Sequence, residues 1–140
     1  MTGRSDTVLV GIDGSDGSAE AVRWATRLAA GRGLELEVLH CLQVASLYYG
    51  GGLAGSEALF GDLQREGDRV VAEARDRVLE VDPALRVRTE VCTDSAAAVL
   101  IERSRGARVV VLGCTGRGGF AGMLVGGTAA TVAGHACCPV

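Results

Sequence analysis

At 140 residues, nearly half of them hydrophobic, the chain is the size of one domain with a core of its own. A net charge of -3 with both signs interleaved excludes a basic nucleic-acid surface, and a single tryptophan, Trp24, gives no platform for stacking bases. All fourteen basic residues are arginines, so the phosphate-gripping lysine of a conventional P-loop cannot be supplied.

No apolar run is long enough to span a bilayer, and Gly11 and Asp13 interrupt the first apolar segment before it could serve as an export signal. The expectation is a soluble, cytoplasmic protein. The cysteines, Cys41, Cys92, Cys114, Cys137 and Cys138, are odd in number and irregular in spacing. That argues against a disulfide framework, and adjacent Cys137 and Cys138 lack metal-ligand spacing.

Thr7–Ile12 reads as a first strand, apolar almost throughout and therefore covered on both faces. The turn "DGSDGS" follows, with Ser15, Asp16 and Ser18 as candidate caps for a helix running to about Ala30. Ala21, Val22, Ala25, Leu28 and Ala29 form its buried side, and Gly31 and Gly33 stop it. Leu34–His40 is a second strand. The loop after it carries Tyr48, Tyr49 and several glycines, and its length suggests a mobile segment or a partner surface. A long helix spans roughly Glu57–Glu80, with Leu59, Leu63, Val70, Val71, Ala74 and Val78 on one stripe.

Leu85–Val91 alternates as a half-exposed or edge strand would. A short helix covers about Ser95–Ser104. Val109–Leu112, wholly apolar, is a central strand. Seven glycines then fall between Leu112 and Val132, ahead of a helix from about Thr128 to His135. Cys138–Val140 resembles the approach to a fifth strand that the sequence does not go on to make. Strands and helices alternate throughout, which predicts an α/β fold. Specifically, it predicts an open, Rossmann-like parallel sheet of order 3-2-1-4, any fifth strand truncated or missing, with helices on both faces and residues 1–140 forming one domain.

In that order the chain direction reverses between strands one and four, opening a crevice at their carboxyl ends where such sheets bind ligands. Ile12 and Asp13 end one strand there; Leu112 and Gly113 end the other. Gly113, Gly116, Gly118 and Gly119 would let the backbone turn tightly and approach a ligand. Gly126 and Gly127 precede Thr128, where the free N–H groups of a helix start favour an anion. Thr128 adds a hydroxyl and Arg117 a charge, so a polyphosphate could be held without lysine. Asp13 suits the other end of a nucleotide, accepting hydrogen bonds from ribose or base, and Cys41 would line a pocket for the base. Each has a plainer reading: Asp13 as a turn residue, Cys41 as core, the glycines as a lid or structural turn. His40 ends a strand and His135 a helix, so neither reads as catalytic, and no Ser-His-Asp arrangement or metal cluster is evident.

Three segments together resemble the universal stress protein family: "VLVGIDGSDGSAEAVRWA" at Val8–Ala25, "LELEVLHC" at Leu34–Cys41 and "ARVVVLGCTGRGGFAGMLVGG" at Ala107–Gly127. "HACCPV" at His135–Val140 is similar to the family's approach to its last strand. ATP-binding members carry Gly, two residues, Gly, nine residues, then Gly and Ser or Thr; Gly113, Gly116 and Gly126 match. The resemblance implies that Ile12 and Asp13 contact adenine or ribose, with Cys41 beside the base. It places Leu112, Gly113 and Gly116 along ribose and phosphates, and Gly126 with its neighbours on the phosphate chain. It also implies a homodimer that binds ATP, with magnesium as an accompanying ion, and regulates a stress response through a protein partner. Slow ATP hydrolysis and a nucleotide-independent scaffold are the alternatives.

Two departures stand out. Gly127 occupies the position of the motif's hydroxyl residue, with Thr128 one place late and Ala129 and Ala130 beyond it. A missing hydrogen bond to charged phosphate costs about 1.5–3 kcal/mol, roughly tenfold to a hundredfold in affinity. Absence of a final strand would also leave the edge of strand four exposed.

Overall fold

The computed structural model describes residues 6–42, 56–113 and 127–140. The loop holding Tyr48 and Tyr49 and the segment 114–126 lie outside them, and with them Gly116, Arg117 and Gly126. The elements run β1 (Thr7–Ile12), α1 (Asp16–Arg32), β2 (Glu35–Cys41), α2 (Ser56–Val81), β3 (Val87–Cys92), α3 (Ala96–Ser104), β4 (Val109–Val111) and α4 (Gly127–His135). The described strands form one sheet of order β3-β2-β1-β4, and every pairing is parallel. This is the predicted 3-2-1-4 topology with helices on both faces.

Alternation along β1 explains the two layers. Val8, Val10 and Ile12 point to one face, where they meet Ala21, Val22, Ala25 and Ala29 of α1 and Val70, Val71, Ala74 and Val78 of α2. Leu9 points to the other, with Leu39, Val110, Leu100 of α3 and Val132 of α4. Val8, Val10 and Leu9 are all essentially inaccessible to solvent. Each contributes about 1.5–3 kcal/mol through burial, which is why β1 has no polar side to spare.

The helix ends follow local chemistry. Ser15 caps α1, its hydroxyl accepting from the Ser18 N–H at 3.3 Å. Gly33 ends the helix in the left-handed region, φ 65°, where a side chain would be strained. The expected stripe on α2 holds only in its carboxyl half. Leu59 is 52% exposed and Phe60 40%, whereas Val70, Val71, Ala74 and Val78 are buried. Length accounts for the difference: at 26 residues α2 measures about 39 Å, whereas seven-residue β2 spans only about 23 Å. Its first turns overhang the sheet.

The edge of β4 is partly covered. The Val110 N–H donates to the Pro139 carbonyl at 2.9 Å, so the carboxyl-terminal stretch begins to pair with this strand. The Cys137 N–H donates to Ser104 Oγ at 2.9 Å, and that hydroxyl donates to the Ile101 carbonyl at 2.6 Å. Buried Ser104 thereby ties the end of α3 to the segment lying along β4.

On the α3 side, the outer half of the sheet is finished with charge instead of hydrocarbon. Arg103 of α3 bridges Glu37 on β2 and Glu90 on β3, and Arg88 pairs with Glu37 from the other side. The Glu37 side chain is only 13% exposed, so removing a partner would leave a largely buried carboxylate short of hydrogen bonds. Hydrogen bonding from Arg103 holds the Glu90 carboxyl below its ordinary range. A depressed carboxylate stabilises the fold above its unfolded value near about 4.3, and that contribution is lost as the pH falls through the folded value. Arg103→Met is therefore expected to lower unfolding free energy by about 1 kcal/mol at neutral pH. In urea titrations the gap between variant and parent should shrink towards pH 3; an equal gap at both pH values would contradict this role.

Candidate functional site

The parallel register sets Val10 of β1 beside Val111 of β4, so Ile12 and Gly113 each stand two residues further on. From there the strands part. β1 feeds α1 on one face, and β4 leads towards α4 on the other. This is the topological switch point of the sheet, the position at which a ligand crevice was expected from sequence.

The β1 side is tightly defined. The Ile12 carbonyl accepts a hydrogen bond from His40 Nδ1 at 2.8 Å, which fixes that ring's tautomer as Nδ1–H when neutral and braces the end of β1 against β2. Asp13 Oδ1 accepts from the Ser15 N–H at 2.9 Å, an Asx turn that leads into the α1 cap. Gly14 between them sits at φ 83°, a conformation suited to glycine. Asp13 thus fills the turn role considered for it, half-exposed at the carboxyl end of β1. The brace from His40 was not foreseen, because a strand-ending histidine gives no sign of which carbonyl, 28 residues earlier, it will meet.

On the β4 side, Gly113 approaches backbone closely. A Cβ built there would lie 2.9 Å from the carbonyl carbon and oxygen of Gly17 and 3.3 Å from the Ser18 nitrogen. The end of β4 therefore lies directly on the first turn of α1. The expected reason for this glycine was proximity to a ligand; its close contact in the structure is with helix backbone. Gly11 has a related role. A Cβ there would lie 2.7 Å from Leu112 Cδ2 and 3.1 Å from Leu100 Cδ1, so its absence gives the Leu112 side chain room over β1. Leu112 turns that side chain into the α3–α4 core.

Cys41 packs at the border of the same core. Burial, with Cys92 beside it, pushes its thiol up to about 12, so it remains neutral and apolar at physiological pH. Gly127 and Thr128 open α4 and are both exposed. A Cβ at Gly127 would meet nothing within 4 Å. The Thr131 hydroxyl donates to the Gly127 carbonyl at 2.9 Å, inside the helix and away from its free N–H groups. The described residues thus bring Ile12, Asp13, Leu112 and Gly113 together, with Cys41 one position past His40 on β2.

The two glycines at the ends of the motif should respond oppositely to a methyl group. Gly113→Ala is expected to destabilise by about 1–3 kcal/mol, because the obstructing atoms are backbone and cannot rotate away. Gly127→Ala should be neutral or stabilising by up to about 1 kcal/mol, as open space and helical geometry allow. Thermal denaturation of both variants checks this; equal effects would remove the distinction.

The sequence profile of the universal stress protein family matches residues 5–140. The universal stress protein Rv2623 of Mycobacterium tuberculosis is 36% identical over 133 residues, covering 95% of this chain and 43% of that protein. A universal stress protein of Mycolicibacterium smegmatis is 31% identical over 137 residues, covering 95% of this chain and 46% of that protein. The chain therefore spans less than half the length of these relatives. Among solved structures, UspA from Lactobacillus plantarum superposes with a TM-score of 0.83 at 23% identity, covering 99% of this chain and 97% of that one. A universal stress protein in complex with cAMP superposes with a TM-score of 0.68 at 26% identity, covering 99% and 95%. Profile and relatives both reach across the switch point and both of its walls, and the chain belongs to the universal stress protein family.

Proposed function

We propose that this chain is a nucleotide-binding regulatory module of the stress response, working as a homodimer, that holds ATP in the crevice and presents its occupancy to a protein partner. The observation that carries the reading is the meeting of Asp13 and Gly113 at the switch point, on either side of the first turn of α1. The donor set suits a nucleotide. A carboxylate at one end accepts from ribose hydroxyls, and the exposed amino terminus of α4 at the other offers N–H groups to phosphate. Cys41 supplies a neutral, apolar wall for the base. Gly116, Arg117 and Gly126 complete the phosphate side in this reading, and magnesium would accompany the triphosphate as counter-ion.

The first turn of α1 is not the phosphate site in this proposal. Its Ser18 N–H is taken by Ser15, and Gly113 leans on its Gly17 carbonyl. Phosphates belong at α4, where Gly127 is open and Thr128 is exposed.

A second reading is a ligand with a single phosphate. The relative in complex with cAMP motivates it, as does Gly127, which lacks the hydroxyl expected to grip a longer chain. Calorimetric titration of nucleotide-free protein with ATP and magnesium, and in parallel with cAMP, separates the two. No heat and no thermal stabilisation with either at millimolar concentration would reject both.

Two variants test the residue roles. Asp13→Asn retains an oxygen for the Ser15 N–H but loses the charge, so the fold should persist while nucleotide affinity falls about tenfold, the equivalent of about 1.4 kcal/mol. Gly127→Ser places the missing hydroxyl where nothing obstructs it. It should raise ATP affinity about tenfold or more and change affinity for cAMP less. Unchanged ATP affinity in both variants would place the ligand elsewhere.

A further inference from the structure

Cys41 and Cys92 are direct partners in the parallel register of β2 and β3, each the last residue of its strand. Directly paired residues on neighbouring strands point to the same face, about 4.8 Å apart, inside the Cα separation of about 4.4–6.8 Å that a disulfide bridges. The strands remain joined to their ends: the Leu42 N–H donates to the Cys92 carbonyl at 2.7 Å. The thiols lie close enough for Cys92 to help raise the Cys41 thiol, and Cys92 Sγ donates to Glu90 Oε1 at 3.5 Å. Both cysteines are free thiols and half-buried.

We propose that Cys41 and Cys92 form a redox-active dithiol that a peroxide converts into a disulfide joining the ends of β2 and β3. The proposal stands independently of the nucleotide reading. In the first step the Cys92 sulfur, as thiolate, attacks one oxygen of hydrogen peroxide. The O–O bond breaks, giving Cys92 sulfenic acid and a hydroxide that takes up the thiol proton as water. In the second, the Cys41 sulfur attacks the Cys92 sulfur. The S–O bond breaks, and the departing hydroxide leaves with the Cys41 proton as a second water. Two electrons pass from the sulfurs to the peroxide, and two thiols become one disulfide.

Position assigns the order. Both cysteines border the α3–α4 core; Cys41 is the more deeply buried and suits the resolving thiol, whereas Cys92 lies nearer solvent and its sulfur reaches Glu90. Glu90, Asp94 and Arg103 surround the pair. Burial raises both thiols above their ordinary value, so the dithiol rests protonated and reduced at neutral pH and closes under sustained peroxide.

The test uses the intact chain. Because it has no lysine, trypsin cuts only at arginine. That places Cys41 in peptide 33–65, Cys92 in 89–103, Cys114 in 109–117, and Cys137 with Cys138 in 118–140. Protein exposed to hydrogen peroxide, alkylated and digested without reductant should yield 33–65 linked to 89–103, and dithiothreitol should reverse the link. Cys41→Ser should leave Cys92 as a sulfenic acid that dimedone traps several-fold more than in the parent; Cys92→Ser should abolish both link and trapping. Alkylation of both thiols while other cysteines are oxidised would overturn the proposal. So would either cysteine linked to a different partner, or dimedone labelling unchanged by Cys41→Ser.

Discussion

The geometry of the switch point depends on one close contact, the seating of Gly113 on the first turn of α1. Parallel strands diverging at a switch point open a gap between their connections, but the width of that gap is set by what the departing chains rest on. Here β4 rests on helix backbone, close enough that a single methyl group would not fit. The turn from Asp13 to Ser15, which starts that helix, is therefore held from two directions. It is anchored below by β1, and β4 presses on the helix just beyond it, at Gly17 and Ser18. The His40 hydrogen bond to the Ile12 carbonyl adds a third constraint from β2. Two strands thus fix the peptide preceding Asp13, and a third seats the helix turn that follows it, so the side chain there is placed by the sheet more than by its own loop.

The remainder of the fold supplies rigidity to that point by two different means. Under α1 and α2 the sheet is covered with hydrocarbon, and Val8, Val10 and Val38 are fully buried. On the opposite face α3 and α4 cover β1 and β4, and the outer strands are finished by the Glu37, Arg103 and Glu90 cluster. Hydrocarbon burial provides most of the free energy; the charged cluster fixes where the last turn of α3 lies relative to β2 and β3. The segment following α4 is secured in a similar way, by the buried Ser104 hydroxyl and the Pro139 carbonyl on the β4 edge.

Topology was legible in the sequence because it follows from composition alone. Thr7–Ile12, without a polar face, is flanked on both sides, and the alternating Val87–Cys92 is an outer strand; the equally apolar Val109–Val111, expected to be central, is instead the last described strand on its side, its outer edge met by the Pro139 carbonyl. Contacts between distant residues were not legible in the same way. Nothing in the periodicity of α2 reveals where the sheet beneath it ends, so Leu59 was assigned to a core it does not reach. Nothing local to His40, Glu37 or Arg103 indicates its partner, since each partner lies many residues away and is selected by register. The candidate site shows the same division. That Asp13 and Gly113 share one corner followed from strand order; that Gly113 leans on a helix, and Leu112 turns its side chain away from the crevice, required the packing of α1 and α3.

Glycine illustrates why a motif residue needs its physical reason identified. Gly14 is required by a positive φ, Gly113 by neighbouring backbone, and Gly11 by the Leu112 and Leu100 side chains. Gly127 is required by none of these: its φ is ordinary for any residue, and the space beside it is open. It is also the position at which this chain departs from the pattern of ATP-binding relatives. Its departure is therefore chemical and not steric. The backbone at the start of α4 accepts a hydroxyl-bearing residue without adjustment, and what the chain lacks there is a hydrogen-bond donor. Under the proposed nucleotide reading, phosphate at this helix would be held by backbone N–H groups, which favour any anion, whereas a hydroxyl set at one point along the chain would favour an anion of defined length.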